Sequence, residues 1–248
     1  MVEPTPIRPN DAHVSSSSET HGDRTSRNGK RPRREVSFPV DRNILVLDIE
    51  GSTQRTNPVK GELRDDVYQI VDDAFDEVGI DYRNCDRTID RGDGLMVLLR
   101  PTDDFPKPFL LSRLMPALAR LLVSRNNGIS PAEEARIMRL RAVVHTGDVH
   151  FDGNGPYGED LDLACRLLDA PRFKAYLKTA SEPLAVVASD TIYQSIIRHG
   201  YDGLDDKEFD QLVNVTLGKQ RRKGWVQLPR VARFPLAVTA QTQAAFAS

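Results

Sequence analysis

Cysteine is nearly missing from this chain: Cys85 and Cys165 are the only two among 248 residues. Two thiols support neither a disulfide scaffold nor a thiolate metal site. Aromatic residues make up only 6%, so the core has to be built from Leu, Val, Ile and Ala. An excess of either charge is lacking too. The formal net charge of -2 gives no electrostatic footprint for nucleic acid. No apolar run approaches the ~20 residues of a membrane helix, and the N-terminus is polar, without a signal stretch. No repeat recurs at solenoid periods. These absences point to a cytoplasmic protein with neither a membrane nor a nucleic acid as partner. They leave room for a triphosphate ligand, which needs local positive charge and a metal rather than a global excess.

What is present falls into three pieces. Residues 1–40 are rich in Ser, Thr, Arg, Asn and Pro, with a serine run at 15–18 and a basic cluster at 30–34. They cannot bury enough apolar surface to offset the entropy of ordering, so they read as a disordered tail. A globular domain is expected over 41–230, and a fraying Ala- and Gln-bearing extension over 231–248.

Within the domain, ordered structure is expected from about Asn43, beginning with an apolar strand at 44–47. Helical periodicity predicts a helix over 65–78. A hairpin follows, with its bend at Gly92-Asp93-Gly94 and a strand at 95–99. A Leu-rich helix lies within 105–123, and Pro131 opens another that runs to about 138. A strand at 141–145 turns at Thr146-Gly147 and returns at 148–151. Residues 153–158 read as a loop and 160–168 as a short helix. A strand at 184–188 leads through the N-cap Ser189 into a helix at 190–198, and 225–228 rejoins the sheet. The order suits an α+β fold with helices packed on a mixed sheet.

Three local features carry chemistry. In ILVLDIEGST (residues 44–53) an apolar strand delivers Asp48 to a turn of Gly51, Ser52 and Thr53. Amides at such a turn can bind phosphate, while Ser52 or Thr53 can equally be a helix cap. Asp93 sits in a Gly-flanked bend, where Asp is also common for purely local reasons. Two carboxylates brought together would recruit a hard divalent cation such as Mg²⁺ or Mn²⁺. Asp162 and Arg166, four apart on a helix, share a face. They can form an ion pair, or Arg166 can serve a phosphate. Arg141 and Lys223 are further cations. No P-loop is present.

Taken together, ILVLDIEGST, GDGLMVLL (92–99), RLRAVVHTGDV (139–149) and YGEDLDLACRLL (157–168) resemble the catalytic domain of class III nucleotide cyclases, the adenylate and guanylate cyclase family. The match spans about 43–228 and is strongest before Ala170. The resemblance implies a ferredoxin-like palm with a mixed, largely antiparallel sheet, and a homodimer with two shared active sites. It implies that Asp48, Asp93 and the Ile49 carbonyl hold two Mg²⁺ or Mn²⁺ ions per site. Arg141 would lie near the phosphates, Arg166 would be donated by the other subunit to the transition state, and Lys223 would hold the terminal phosphates. The substrate would be a nucleoside triphosphate, and the product a 3',5'-cyclic nucleotide read by a cyclic-nucleotide-responsive effector. His145, in the HTG stretch, reads as structural.

Two departures from the family pattern bear on activity and base. Asp162 stands where active members usually carry asparagine. Asparagine can donate a hydrogen bond to the ribose region, which ionised aspartate cannot, so Asp162 either orients Arg166 or occupies it. The lysine that reads purines has no clear equivalent: an ungapped match places Ile89 there, and a short insertion places Arg87. Arg87 or Arg91 could donate to a pyrimidine carbonyl. The chain is similar in this to bacterial cyclases that make cyclic pyrimidine nucleotides as alarm signals in phage defence, which makes UTP or CTP candidate substrates. The alternatives are a purine (ATP or GTP) cyclase and a catalytically silent, nucleotide-binding regulatory domain.

Overall fold

The element order follows from where apolar runs alternate with amphipathic ones. In the computed structural model, residues 38–229 are described. Apart from its last three residues, the expected tail, with its basic cluster, lies outside them, as does the extension at 231–248. The order is β1 (Val40–Ile49), α1 (Asn57–Val78), β2 (Ile89–Asp90), β3 (Gly94–Leu99), α2 (Met115–Asn126) and β4 (Leu140–Asp152). Then follow β5 (Gly155–Tyr157), α3 (Glu159–Asp169), α4 (Pro171–Thr179), β6 (Leu184–Ser189), α5 (Asp190–Ser195), β7 (Asp210–Leu217) and β8 (Gln220–Gln227).

The sheet runs β2-β3-β1-β4-β6-β8-β7, with β5 paired to β4. The β4–β6 pair is parallel and the other pairs are antiparallel. Up to β4, the succession β-α-β-β-α-β with spatial order β2-β3-β1-β4 is the ferredoxin-like palm, as expected from the sequence.

Both faces of the sheet are covered. On β1, Leu45, Leu47 and Ile49 pack with α1 and α2, whereas Ile44 and Val46 pack with α3 and α4. A strand buried on both faces reads as a continuous apolar run rather than an alternating one, which is why residues 44–47 show no period of two. Asp48 follows Val46 by two positions, so the pleat places it on the α3 face.

Several boundaries differ from the sequence expectation, each for a physical reason. Helix α1 starts at Asn57, not 65. Pro58 pre-sets the first turn, and Leu63, with the partly buried Val59 beyond Gly61, extends the core-facing side backward. Strand β4 does not turn at Thr146-Gly147 but continues to Asp152. Gly147 is there because a Cβ would sit 2.2 Å from the Asp160 carboxylate, not to bend the chain. The hairpin lies further on, between β4 and β5. Residues Pro131–Arg136 form only a 3-10 segment with no buried residue. Without an apolar face there is little to stabilise a full helix. The Leu-rich segment opens with a π-helical turn at Leu110–Leu114 before α2. Helix α4 and edge strand β7 escape the sequence reading altogether.

Candidate functional site

Strand β1 ends where two neighbours converge on it. Asp48 is the register partner of Gly94 on β3 and of Arg141 on β4. Only glycine fits at position 94: a Cβ would lie 2.0 Å from the Leu47 carbonyl oxygen. That close approach carries the β2–β3 bend, with Asp93 at its tip, up to the end of β1. The Ile49 amide donates to the Asp93 carbonyl at 2.8 Å, fixing the bend against the strand.

The bend is also held from the helix side. Arg64 of α1 forks onto both oxygens of Asp90 and donates to the Gly92 carbonyl. The Arg64 hydrogen bonds, helped by the Gly92 amide, bring the Asp90 carboxyl down to about 2. Gly92 adopts φ 87°, a conformation open to glycine at little cost. The frame leaves the half-buried Asp93 facing a cleft.

This cleft, of about 200 Å³, is lined by Asp48, Ile49, Gly51, Ser52, Thr53 and Asp93, and also by Arg91, Arg141, Asp169 and Lys174. The turn after β1 is a 3-10 segment, Ser52–Gln54, entered through Gly51 in the left-handed region, and no side chain caps it. The capping role open to Ser52 or Thr53 from sequence is therefore not taken. Arg55 fixes the turn by donating to the carbonyls of Glu50, Ala135 and Ile137 at 2.7–2.9 Å.

At the cleft floor Arg141 forks onto Asp48. Its Nε donates to Oδ1 at 2.8 Å and its Nη2 to Oδ2, and both side chains are only 10% exposed. Burial pushes the Asp48 carboxyl above its ordinary range, opposed by the Arg141 hydrogen bond and charge and reinforced by the charge of Asp93. A carboxylate desolvated this way gains from a nearby cation.

Asp48 and Asp93 fit a hard divalent ion. They offer oxygen donors in one cleft, with Ile49 beside them, whose carbonyl is the third ligand implied by the family resemblance. No group of three or more His, Cys, Asp or Glu side chains among the described residues could hold a metal by itself. Two carboxylates suit an ion that takes its remaining ligands from water or from a bound phosphate.

The other expected site residues lie elsewhere. Asp162 and Arg166 are exposed on α3, away from the lining of this cleft. Among the described residues no ion pair joins them; the first turn of α3 is paired instead through Glu159 to Arg222 and Asp160 to His145. Lys223, on β8, lines a different and larger cleft of about 410 Å³ with Glu159, Asp190 and Arg222. Arg87 is exposed ahead of β2 and lines neither cleft. Arg91 does line the Asp48 cleft, and its Nη1 donates to Cys165 Sγ at 3.1 Å. Lys174 and Asp169, ion-paired at 2.8 Å, were missed from sequence. Pro171 followed by Phe173 and Leu177 at i, i+4 could have revealed α4, though not that Lys174 faces the cleft.

No family model matches this chain, and no curated protein matches it in sequence. Solved structures do match. An adenylate/guanylate cyclase/hydrolase from Silicibacter pomeroyi is 17% identical with a TM-score of 0.53, over 77% of this chain and 98% of that one. A bacterial light-regulated adenylyl cyclase is 13% identical with a TM-score of 0.50, over 79% of this chain. The chain spans 54% of that protein's length. At these identities the likeness establishes the fold, which is that of adenylate/guanylate cyclase catalytic domains.

Proposed function

We propose that residues 41–230 form a nucleotide cyclase catalytic domain that works in the cytoplasm as a homodimer, with 1–40 and 231–248 as flanking extensions. It converts a nucleoside triphosphate to a 3',5'-cyclic nucleotide and pyrophosphate. The observation that carries this reading is the convergence of Asp48, Asp93 and Arg141 on one cleft at the end of β1, in a fold of cyclase type.

In the reaction the ribose 3'-oxygen attacks the α-phosphorus, its proton leaves to solvent, and the bond to the β-phosphate oxygen breaks. Asp48, Asp93 and the Ile49 carbonyl would hold two divalent ions. When bound, these supply Lewis-acid activation of the 3'-hydroxyl and neutralise charge on the departing pyrophosphate. The amides of Gly51, Ser52 and Thr53 would line the phosphate path. Arg141 forks onto both oxygens of Asp48. With ions on Asp48, the Arg141 guanidinium would be free for the phosphates, which its planar fork pairs equally well. Lys174 adds a second cation on the same side. Arg166 of the partner subunit would neutralise charge growing on the α-phosphoryl group, with Lys223 from the same subunit reaching the terminal phosphates.

The base favoured by this reading is a pyrimidine. The position of the purine-reading lysine falls on Ile89 or on the outward-facing Arg87, whereas Arg91 lines the cleft and can donate to a pyrimidine carbonyl. A role in phage defence, with a cyclic-nucleotide-responsive effector downstream, belongs to the same proposal and rests on the family resemblance alone. The competing silent-domain reading draws on Asp162 in place of asparagine. The lack of an Asp162–Arg166 ion pair among the described residues supports the active reading, because Arg166 is not consumed within its own helix.

Purified protein incubated with Mn²⁺ and each of the four NTPs, with products identified by mass spectrometry, tests the proposal. A cyclic product from UTP or CTP is expected, and Asp48→Ala should abolish it. Retained nucleotide binding without any cyclic product would establish the silent domain instead.

A further inference from the structure

The HTG stretch holds a buried polar chain that the metal cleft does not use. His145 is 1% exposed, in the middle of β4. Its Nε2 lies 2.9 Å from Asp160 Oδ1, and its Nδ1 lies 2.7 Å from Ser189 Oγ. The second oxygen of Asp160 accepts from the Asp148 amide at 2.7 Å. Ser189 accepts in turn from the Ile192 amide as the N-cap of α5. With a neutral imidazole the donors and acceptors close one way: Nε2–H donates to Asp160, and Nδ1 accepts from the Ser189 hydroxyl.

Further features show that the chain is built around Asp160. Gly147 leaves space for its carboxylate, since a Cβ there would lie 2.2 Å from Asp160 Cγ. Helix α3 begins at Gly158, which has no side chain to cap it. The other tie on its first turn, Glu159 to Arg222, spans 3.6 Å between exposed groups and contributes little. The His145 hydrogen bond, opposed by burial and joined by the Asp148 amide, holds the Asp160 carboxyl below its usual range, so it stays ionised as an acceptor. Asp160 is thus the pin that fastens the start of α3 to β4.

The same helix carries Asp162 and Arg166 on its exposed side. Asp160 and Arg166 are six positions apart, about 9 Å along the axis and roughly 120° around it. One therefore faces the sheet while the other faces out. We propose that Asp160, held by His145 and the Asp148 amide, is a positioning residue that fixes the pose in which α3 presents Arg166 to the Asp48 cleft of the partner subunit. The inference rests on the shared-site reading above. A guanidinium displaced by about 1 Å from its productive place can cost on the order of 10²-fold in rate.

Mixed dimers separate this role from simple loss of folding. Asp160→Ala should lose activity on that scale, and Asp160→Asn should recover the larger part. The amide oxygen can still accept from Asp148, and its NH₂ can donate to the other imidazole tautomer. If Asp160 acts through Arg166, its defect lies in the donated half-site. Asp160→Ala chains mixed with Asp48→Ala chains then regain activity, whereas those mixed with Arg166→Ala chains do not. Gly147→Ala, which displaces the Asp160 carboxylate without removing it, should follow the same pattern and serves if Asp160→Ala does not fold. Rescue by Arg166→Ala chains, or by neither partner, overturns the role of the pin when Asp48→Ala and Arg166→Ala chains rescue each other. If those two do not rescue each other in a formed mixed dimer, the shared-site reading falls, and the inference with it.

Discussion

Asp48 is held by the Arg141 guanidinium and is also proposed to hold a metal ion. The two uses compete for the same two oxygens. Arg141 satisfies a carboxylate that is almost fully buried, and removing one partner of such a pair typically costs about 3–5 kcal/mol. On the proposed function the pairing would therefore oppose metal binding. Nucleotide would relieve the conflict, because its phosphates can accept the guanidinium. The consequence can be measured without turnover. Arg141→Lys keeps the charge but cannot fork, so Mn²⁺ should bind roughly tenfold tighter in the absence of nucleotide, about 1.4 kcal/mol of relieved competition. Electron paramagnetic resonance of free Mn²⁺ reads this directly. Affinity equal to or weaker than that of the unaltered protein would contradict the competition. Turnover of the variant should fall, since an ammonium cannot pair a phosphate through two parallel bonds.

At the scale of elements, the cleft depends on how closely β3 approaches β1. Gly94 permits that approach, and its replacement by alanine would drive a methyl group into the Leu47 carbonyl. Gly94→Ala should lower the denaturant midpoint by the equivalent of about 1–3 kcal/mol, the usual range for overpacking. Retreat of β3 would also pull Asp93 away from Asp48. An unchanged midpoint would show that the strands can part without cost. This glycine illustrates how much was legible in the sequence. Its place beside Asp93 was visible as a bend, but the reason for it, a backbone contact across two strands, exists only in the fold. The apolar run 44–47, the hairpin and the start of α3 were legible because each depends on local pattern. The Thr146-Gly147 pair was misread as a turn because glycine most often punctuates, whereas here it makes room for Asp160 from a different element. Helix α4 was missed although Phe173 and Leu177 mark its buried face, and with it Lys174, a cation lining the Asp48 cleft that the sequence reading did not include. Asp48, Asp93 and Arg141 were anticipated at one site and lie at one site; Lys223 and Arg87 lie away from it in the same chain.

For the whole molecule, the arrangement of charge bears on the proposed homodimer. Asp48, Asp93 and Arg141 open on one cleft, while Arg166 and Lys223 are borne by α3 and β8 outside its lining. On the proposed function a single chain would have the carboxylates for the ions but not every cation that the transfer calls for. In a two-fold dimer the same surface is contributed twice, so each chain would supply the carboxylate half of one site and the cationic half of the other. No helix among the described residues is long and apolar enough to cross a membrane. The measurement that tests the central claim most directly is phosphorus NMR of the protein with Mg²⁺ and each NTP in turn. The account predicts that UTP or CTP gives a cyclic phosphodiester signal together with one pyrophosphate per turnover, and that Asp48→Ala gives neither. Intact triphosphate in all four reactions, or hydrolysis to a diphosphate and inorganic phosphate, would contradict it.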